Sequence, residues 1–308
     1  MRERKVFVIG GGGMVGATAA QVIAIKEIVS EVVLIDIAEE LVHGQAMDIN
    51  HATAYTNGVQ VRVGDYGDIH EDDIVVITCG AAQDPQRKHR LDLLEVNTKI
   101  VQDVVGKVMA QGKPVFIVMV TNPVDALTYV ALKASGLPKE RVLGTGTTLD
   151  TARLRVTLAN ALHVSQQEVQ AYVLGEHGHS SLAALSSATI GGVPLQQFPG
   201  FTPQLVATID EDIRQAAYKI IAAKKATYYG IGSVVATVVE ALVRTTGSVL
   251  SVCSLAQGEY GLDNVVVGLP TLVSNKGVAI VDHYPLSDTE TQQLHHSATA
   301  VAQAIGSI

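Results

Sequence analysis

The stretch VIGGGGMVGATAA, Val8 to Ala20, joins a short apolar run, Val6 to Ile9, to an alanine-rich segment, Met14 to Ile25, through four consecutive glycines. An apolar run of this length that ends in glycine reads as a buried strand, and the segment after it reads as a helix. Within the turn, Gly11-x-Gly13-x-x-Gly16 has the spacing of a dinucleotide fingerprint, and Gly10-x-x-Gly13-x-x-Gly16 fits as well. Glycines there permit a tight turn and let backbone amides approach a pyrophosphate, whose charge then rests at a helix N-terminus. Asp36 follows Gly16 by twenty residues, at the end of a second apolar run, Val32 to Ile35. A carboxylate at that point binds ribose hydroxyls and repels a 2'-phosphate, and Ile37 beside it offers no cation to accept one. The expected cofactor is NAD.

The same alternation continues with strands at Val59 to Val63, Ile74 to Thr78 and Val115 to Val120, and a helix over Ile100 to Met109. Strands separated by helices imply a Rossmann-type, doubly wound parallel α/β sheet. Beyond Gly144 and Gly146 the alternation loosens. Helical segments at Leu149 to Leu162 and Ile209 to Ala226 flank a strand at Val169 to Leu174, and Ser287 with Glu290 has capping-box spacing before a helix that runs to Ile305. The expected organisation is an NAD-binding domain over 1–145 and a mixed α+β substrate-binding and catalytic domain over 146–308.

Composition narrows the function. Of 308 residues, 47% are hydrophobic and 17% charged, which fits a well-buried globular protein. A net charge of -8 gives no general footprint for nucleic acid. The opening apolar run is too short for a signal peptide or a membrane span, so no membrane partner is expected. Cys79 and Cys253 form no C-x-x-C pair, and a reducing cytoplasm suits them. No metal site is expected: His177 and His179 are two apart, and His295 and His296 are adjacent on a helix and cannot share a face.

Two further segments carry chemistry. In GTTLDTARLR, Asp150 and Arg153 stand three apart on a helix and share a face. In LGEHGHSS, His177 follows an apolar strand and lies between two glycines. Where the two segments meet, Asp150 accepts a hydrogen bond from one ring nitrogen of His177 and stabilises its cation, while Arg153 grips a carboxylate. Taken alone, His177 is more often a structural histidine, and Asp150 with Arg153 more often a surface or capping ion pair. Their conjunction with a dinucleotide fold points to a histidine that moves the proton accompanying a hydride.

Taken together, VIGGGGMVG, VVLIDI, GAAQ...RLDLLEVN, TNPVD, GLPKERVLGTGTTLDTARLR, GEHG and ATYYGIG resemble the L-lactate/malate dehydrogenase superfamily along essentially the whole chain, most of all its bacterial L-lactate dehydrogenases. The resemblance implies hydride exchange between NADH and pyruvate, giving L-lactate and NAD. It implies His177 as proton donor and acceptor, Asp150 as its orienting carboxylate, Arg153 as the group binding the substrate carboxylate, and Arg90 as the group polarising the carbonyl. It places Gln83 at the position that reads the substrate side chain. It sets Asn122 against substrate oxygen and nicotinamide, and Thr227 and Ile231 against the substrate methyl and nicotinamide. Thr145 and the loop residues Met14 and Val15 fall near the cofactor. A homotetramer serving glycolysis and fermentation is the family's usual form.

Three departures from the family pattern matter. His179 stands where aspartate is usual. Arg155 matches one half of the family's fructose 1,6-bisphosphate site, but Gln170 replaces the histidine of the other half, so weak or absent activation is expected. The loop GAAQDPQRKHR is one residue longer than the pattern Q-K-P-G-E-T-R, which leaves Arg87, Lys88 and His89 as solvated charges or lets Arg87 reach a second carboxylate. Gln83 in place of arginine favours a monocarboxylate, because a dicarboxylate would bury a charge without a partner. The alternatives are a malate dehydrogenase, a branched-chain L-2-hydroxyacid dehydrogenase, or a catalytically silent NAD-binding protein.

Overall fold

The computed structural model describes residues 4–81 and 90–307. The first strand, β1 (Val6–Ile9), runs through Gly10 to Gly13 into helix α1 (Met14–Ile25) and returns as β2 (Glu31–Ile35). Helix α2 (Glu39–Thr53), β3 (Gln60–Val63), β4 (Ile74–Ile77), α3 (Arg90–Met109), β5 (Phe116–Met119), α4 (Val124–Ser135) and β6 (Val142–Gly144) follow. The six strands lie parallel in the order β3-β2-β1-β4-β5-β6. Both faces of this sheet are covered, so its inner strands β1, β4 and β5 are apolar at every position, whereas the edge strand β3 alternates, with Gln60 exposed. Val6 and Val8 pack into one core with Ile23 of α1, whereas Phe7 and Ile9 pack into the opposite core with Val101 of α3 and Leu127 of α4.

The second half begins with α5 (Thr148–Leu162), β7 (Val169–Leu174), β8 (Leu182–Ile190), β9 (Val193–Pro194), α6 (Pro203–Lys224) and α7 (Tyr229–Val243). It ends with β10 (Ser248–Leu250), β11 (Cys253–Gln257), β12 (Asp263–Gly268), β13 (Thr271–Ser274), β14 (Gly277–Ile280) and α8 (Asp288–Ile305). Strands β7, β8 and β9 form one antiparallel sheet and β10, β13 and β14 another.

Three features amend the expectation from sequence. The sheet is not purely parallel: β11 and β12 add to β6 in antiparallel sense and complete eight strands, with Cys253 paired to Gly144. They cover an edge that β6 would otherwise leave unpaired. The two halves are also interleaved through α7, whose Gly232 sits so close to Thr18 of α1 that a Cβ there would meet the Thr18 Cβ at 3.0 Å. Helix α3 begins at Arg90 and not at Ile100, because Leu93 and Leu94 extend its buried face toward the N-terminus. The Ser287 and Glu290 capping box forms at the start of α8, where Glu290 also accepts from the Ser186 amide.

Candidate active site

A cleft of 770 Å3 opens at the C-terminal ends of β1, β4 and β5, where the chain leaves β1 toward β2 on one side and crosses from β3 to β4 on the other. This is the switch point at which open α/β sheets bind ligands, and the volume lies within the range of small-molecule sites. Gly10, Gly13, Met14, Val15 and Gly16 line one end of it.

The glycine run settles into a definite register. Gly10 takes the left-handed turn at φ 89, and a Cβ there would sit 2.7 Å from both the Cys79 amide nitrogen and Thr78 Oγ1. Gly16 packs directly on the Gly10 carbonyl, and a Cβ on it would also lie 2.9 Å from Thr78 Oγ1. Gly11 faces away from the cleft, toward Leu34 of β2. The tight turn thus falls on Gly10, one residue before the fingerprint register that starts at Gly11. Helix α1 has no side-chain cap and no acidic residue in its first turn, so its N-terminus is left open to an anionic group. Asp36 accepts from the Gly12 amide at 2.9 Å and the Ala38 amide at 3.0 Å, which fixes its carboxylate beside the glycine turn. The turn, the uncapped helix and the anchored carboxylate together fit a dinucleotide.

The other end of the cleft carries the titratable groups. His177 lies past the end of β7, after Gly175 at φ 88, whose amide and carbonyl both bond to Gly268 at the end of β12. His177 Nδ1 is 2.6 Å from Asp150 Oδ2, and Arg153 Nη1 donates to Asp150 Oδ1 at 2.9 Å. Asp150 and Arg153 leave α5 on one face, which the i, i+3 spacing requires. With Nδ1 engaged, Nε2 is the ring nitrogen left for a ligand. Burial alone would push the His177 ring down, but the Asp150 carboxylate overrides it and raises the ring above its ordinary range. Burial would likewise raise Asp150, and the His177 and Arg153 charges hold it below the usual carboxylate range. The pair therefore favours an imidazolium on a carboxylate.

Asn122, Thr145, Arg153, His177, Thr227 and Ile231 all line this cleft. Gln83, Arg87, Lys88 and His89 lie outside the described residues, and so does the side chain of Arg90, whose backbone opens α3. His179 lies at the cleft with its Nε2 3.5 Å from Tyr218 Oη of α6. Away from the cleft, Arg155 donates to the Ala171 carbonyl and lies over the Tyr172 ring.

Two residues of the site have no role assigned from sequence alone. Asn97 is fully buried, accepts from the Ala81 amide at 2.7 Å and donates to the Asn122 carbonyl at 2.8 Å. It ties the segment after β4 to the segment after β5. Asp125, in the first turn of α4, accepts from the His177 amide at 2.8 Å. Each stands next to a valine at the end of its motif, Asn97 in RLDLLEVN and Asp125 in TNPVD, among other polar residues that the sequence does not set apart. Nothing local said what either one would touch.

Fold and cleft together define a dinucleotide-binding α/β oxidoreductase. Residues 4–144 match the family model described as lactate/malate dehydrogenase, NAD binding domain, and residues 147–307 match the lactate/malate dehydrogenase alpha/beta C-terminal domain. The chain belongs to the lactate/malate dehydrogenase family. L-lactate dehydrogenase 1 of Staphylococcus aureus (strain JH9) is 43% identical over 301 residues, covering 96% of this chain and 94% of the relative. Among solved structures, a minor L-lactate dehydrogenase from Enterococcus mundtii in its ligands-bound form is similar at TM-score 0.95 and 36% identity, over 99% of this chain and 98% of that one. A malate dehydrogenase from Salinibacter ruber is similar at TM-score 0.90 and 33% identity, over 98% and 97% of the two chains.

Proposed function

We propose that the protein is an NAD-dependent L-lactate dehydrogenase, interconverting pyruvate and L-lactate. The observation that carries this is the His177, Asp150 and Arg153 constellation opening into the same cleft as the uncapped N-terminus of α1. NADH, when bound, supplies the hydride that reaches C2 of the substrate. Residues of the chain do the rest. Arg153 pairs with the substrate carboxylate and so fixes which carbon faces the cofactor side. His177, cationic against Asp150, gives a proton to the carbonyl oxygen from Nε2 and takes it back in the reverse direction. Asn122 and Thr227 bound the substrate, with Gln83 reading its side chain and Arg90 stabilising the charge that develops on oxygen. Gly13, Met14, Val15, Gly16, Asp36, Thr145 and Ile231 hold the dinucleotide, with Gly11 supporting the turn from the β2 side.

We assign residues 1–145 to NAD binding and 146–308 to the substrate, with β11 and β12 as the contribution of the second segment to the first. The reaction belongs at the fermentative end of glycolysis, in the cytoplasm. A homotetramer is the proposed assembly, and the exposed Ile37, Leu41, Met47 and Tyr55 on and around α2 support a surface covered by another subunit.

His177→Asn is expected to abolish turnover of pyruvate with NADH and leave NADH binding nearly intact; full activity in that variant would sink the assignment. A second reading, malate dehydrogenase, draws support from the similarity to the Salinibacter ruber enzyme and from the longer loop. Rates with pyruvate, oxaloacetate and 2-ketoisocaproate separate the two. In the Arg87→Ala variant, an unchanged pyruvate-to-oxaloacetate preference marks Arg87 as a bystander.

A further inference from the structure

The segment that carries His177 is held from two sides. On one side Ser297 of α8 accepts from the Glu176 amide at 2.7 Å and lies 3.0 Å from Ser180 Oγ. Gly175 passes so close to this serine that a Cβ there would sit 2.9 Å from the Ser297 Cβ. On the other side Asp125 Oδ2 accepts from the His177 amide.

Asp125 is an unusual choice for an anchor. It is 3% exposed, its Oδ1 is buried with no hydrogen-bond partner, and the polar group set against it from β11 is the buried Cys253 thiol, a weak donor. Burial of a carboxylate with so little compensation is costly. An asparagine would supply the same acceptor to the amide without the charge. What the carboxylate adds is a second negative charge at the His177 segment, which favours the cationic ring together with that of Asp150.

We propose that Asp125 is a positioning residue for the acid-base histidine: it anchors the main chain at His177 and lends its charge to the cationic state of the ring. The inference rests on the assignment of His177 as the acid-base group. The groups that set the ring's charge state are then identifiable. Asp150 and Asp125 favour the cation from α5 and α4, Arg153 of α5 opposes it, and Glu176 on the same loop opposes ionisation of Asp125. Cys253, buried against Asp125, is itself pushed well above the ordinary thiol range by burial and by that carboxylate, so it stays neutral and adds no charge.

The test compares the wild-type protein with Asp125→Asn and Asp125→Ala. The titration of the His177 ring is followed by NMR, its signal assigned by its loss in His177→Asn. Asp125→Asn keeps the acceptor for the amide and removes the charge. Its His177 midpoint moves to lower pH, and the alkaline limb of kcat/KM for pyruvate reduction moves with it. Asp125→Ala also frees the loop, and its kcat falls by on the order of tenfold to a hundredfold while the NADH Kd is nearly unchanged, as misplacement of a catalytic group predicts. If Asp125→Ala does not fold, Asp125→Asn carries the test. An unchanged His177 midpoint in Asp125→Asn overturns the proposal. A wild-type protein that reduces no 2-oxo acid while the midpoint still moves overturns the lactate dehydrogenase assignment and leaves the positioning role standing.

Discussion

Replacing Asp125 by asparagine should stabilise the protein at neutral pH even as it impairs the histidine. Burial pushes the Asp125 carboxyl from its ordinary value of 3.8 up to about 6, against the opposing pull of the His177 amide and ring. That rise corresponds to about 3 kcal/mol of differential stability. Its sign follows from proton linkage. The folded protein holds this proton more tightly than the unfolded chain, so stability falls as pH rises from about 4 through about 6. Above that range the folded state carries a desolvated charge that the unfolded chain exposes to water. Asparagine has no such charge, so the variant gains nothing near pH 4 and gains up to ~3 kcal/mol by pH 8. Urea unfolding of both proteins is followed across this range at one fixed protein concentration. A stability difference that is flat with pH, or an Asp125→Asn protein that is weaker at pH 8, would refute the claim that Asp125 is held there at a cost to the fold.

Four other outcomes are expected. Gly16→Ala, with its Cβ driven against the Gly10 carbonyl and 2.9 Å from Thr78 Oγ1, loses about 1–3 kcal/mol and weakens NADH binding, measured by unfolding and by fluorescence titration. Asp36→Ser removes the carboxylate anchored by the Gly12 and Ala38 amides, and the ratio of NADPH to NADH turnover rises. Pyruvate reduction, which uses the cationic ring, is lost as pH rises through the raised His177 value; Asp150→Asn, lacking the main stabilising charge, loses it at lower pH. Fructose 1,6-bisphosphate leaves the pyruvate KM unchanged, since Arg155 is engaged with Ala171 and Tyr172 and Gln170 supplies no cation; a large drop in KM would contradict this.

Much of the first half was legible because its signals are local. Apolar strands of a doubly covered sheet, a glycine turn, an uncapped alanine-rich helix and an acid at the end of the next strand all fall within one supersecondary unit. The expected strand at Val6 to Ile9 and helix at Met14 to Ile25 coincide with the observed elements. The Ser287 box and the helix to Ile305 were equally local. The register of the glycine turn was not legible, since four glycines in a row offer two readings and only the approach of Gly16 to the Gly10 carbonyl distinguishes them. Nor was the antiparallel addition of β11 and β12, because strand patterning does not say which edge a strand will pair with.

The sequence by itself determined an α/β dinucleotide fold, its family, and which residue types could supply acid-base chemistry. The resemblance also implied Asp150 as the partner of the His177 ring, which the structure shows at Nδ1; only the tertiary structure decided that Asp125, 52 residues away, lies at the His177 amide. Helix and strand periodicities are set by neighbours a few residues apart, whereas a site is built where separate strands and helices end together. The charge state of the histidine depends on burial and on carboxylates brought from two other helices, and those terms exist only once the chain has folded.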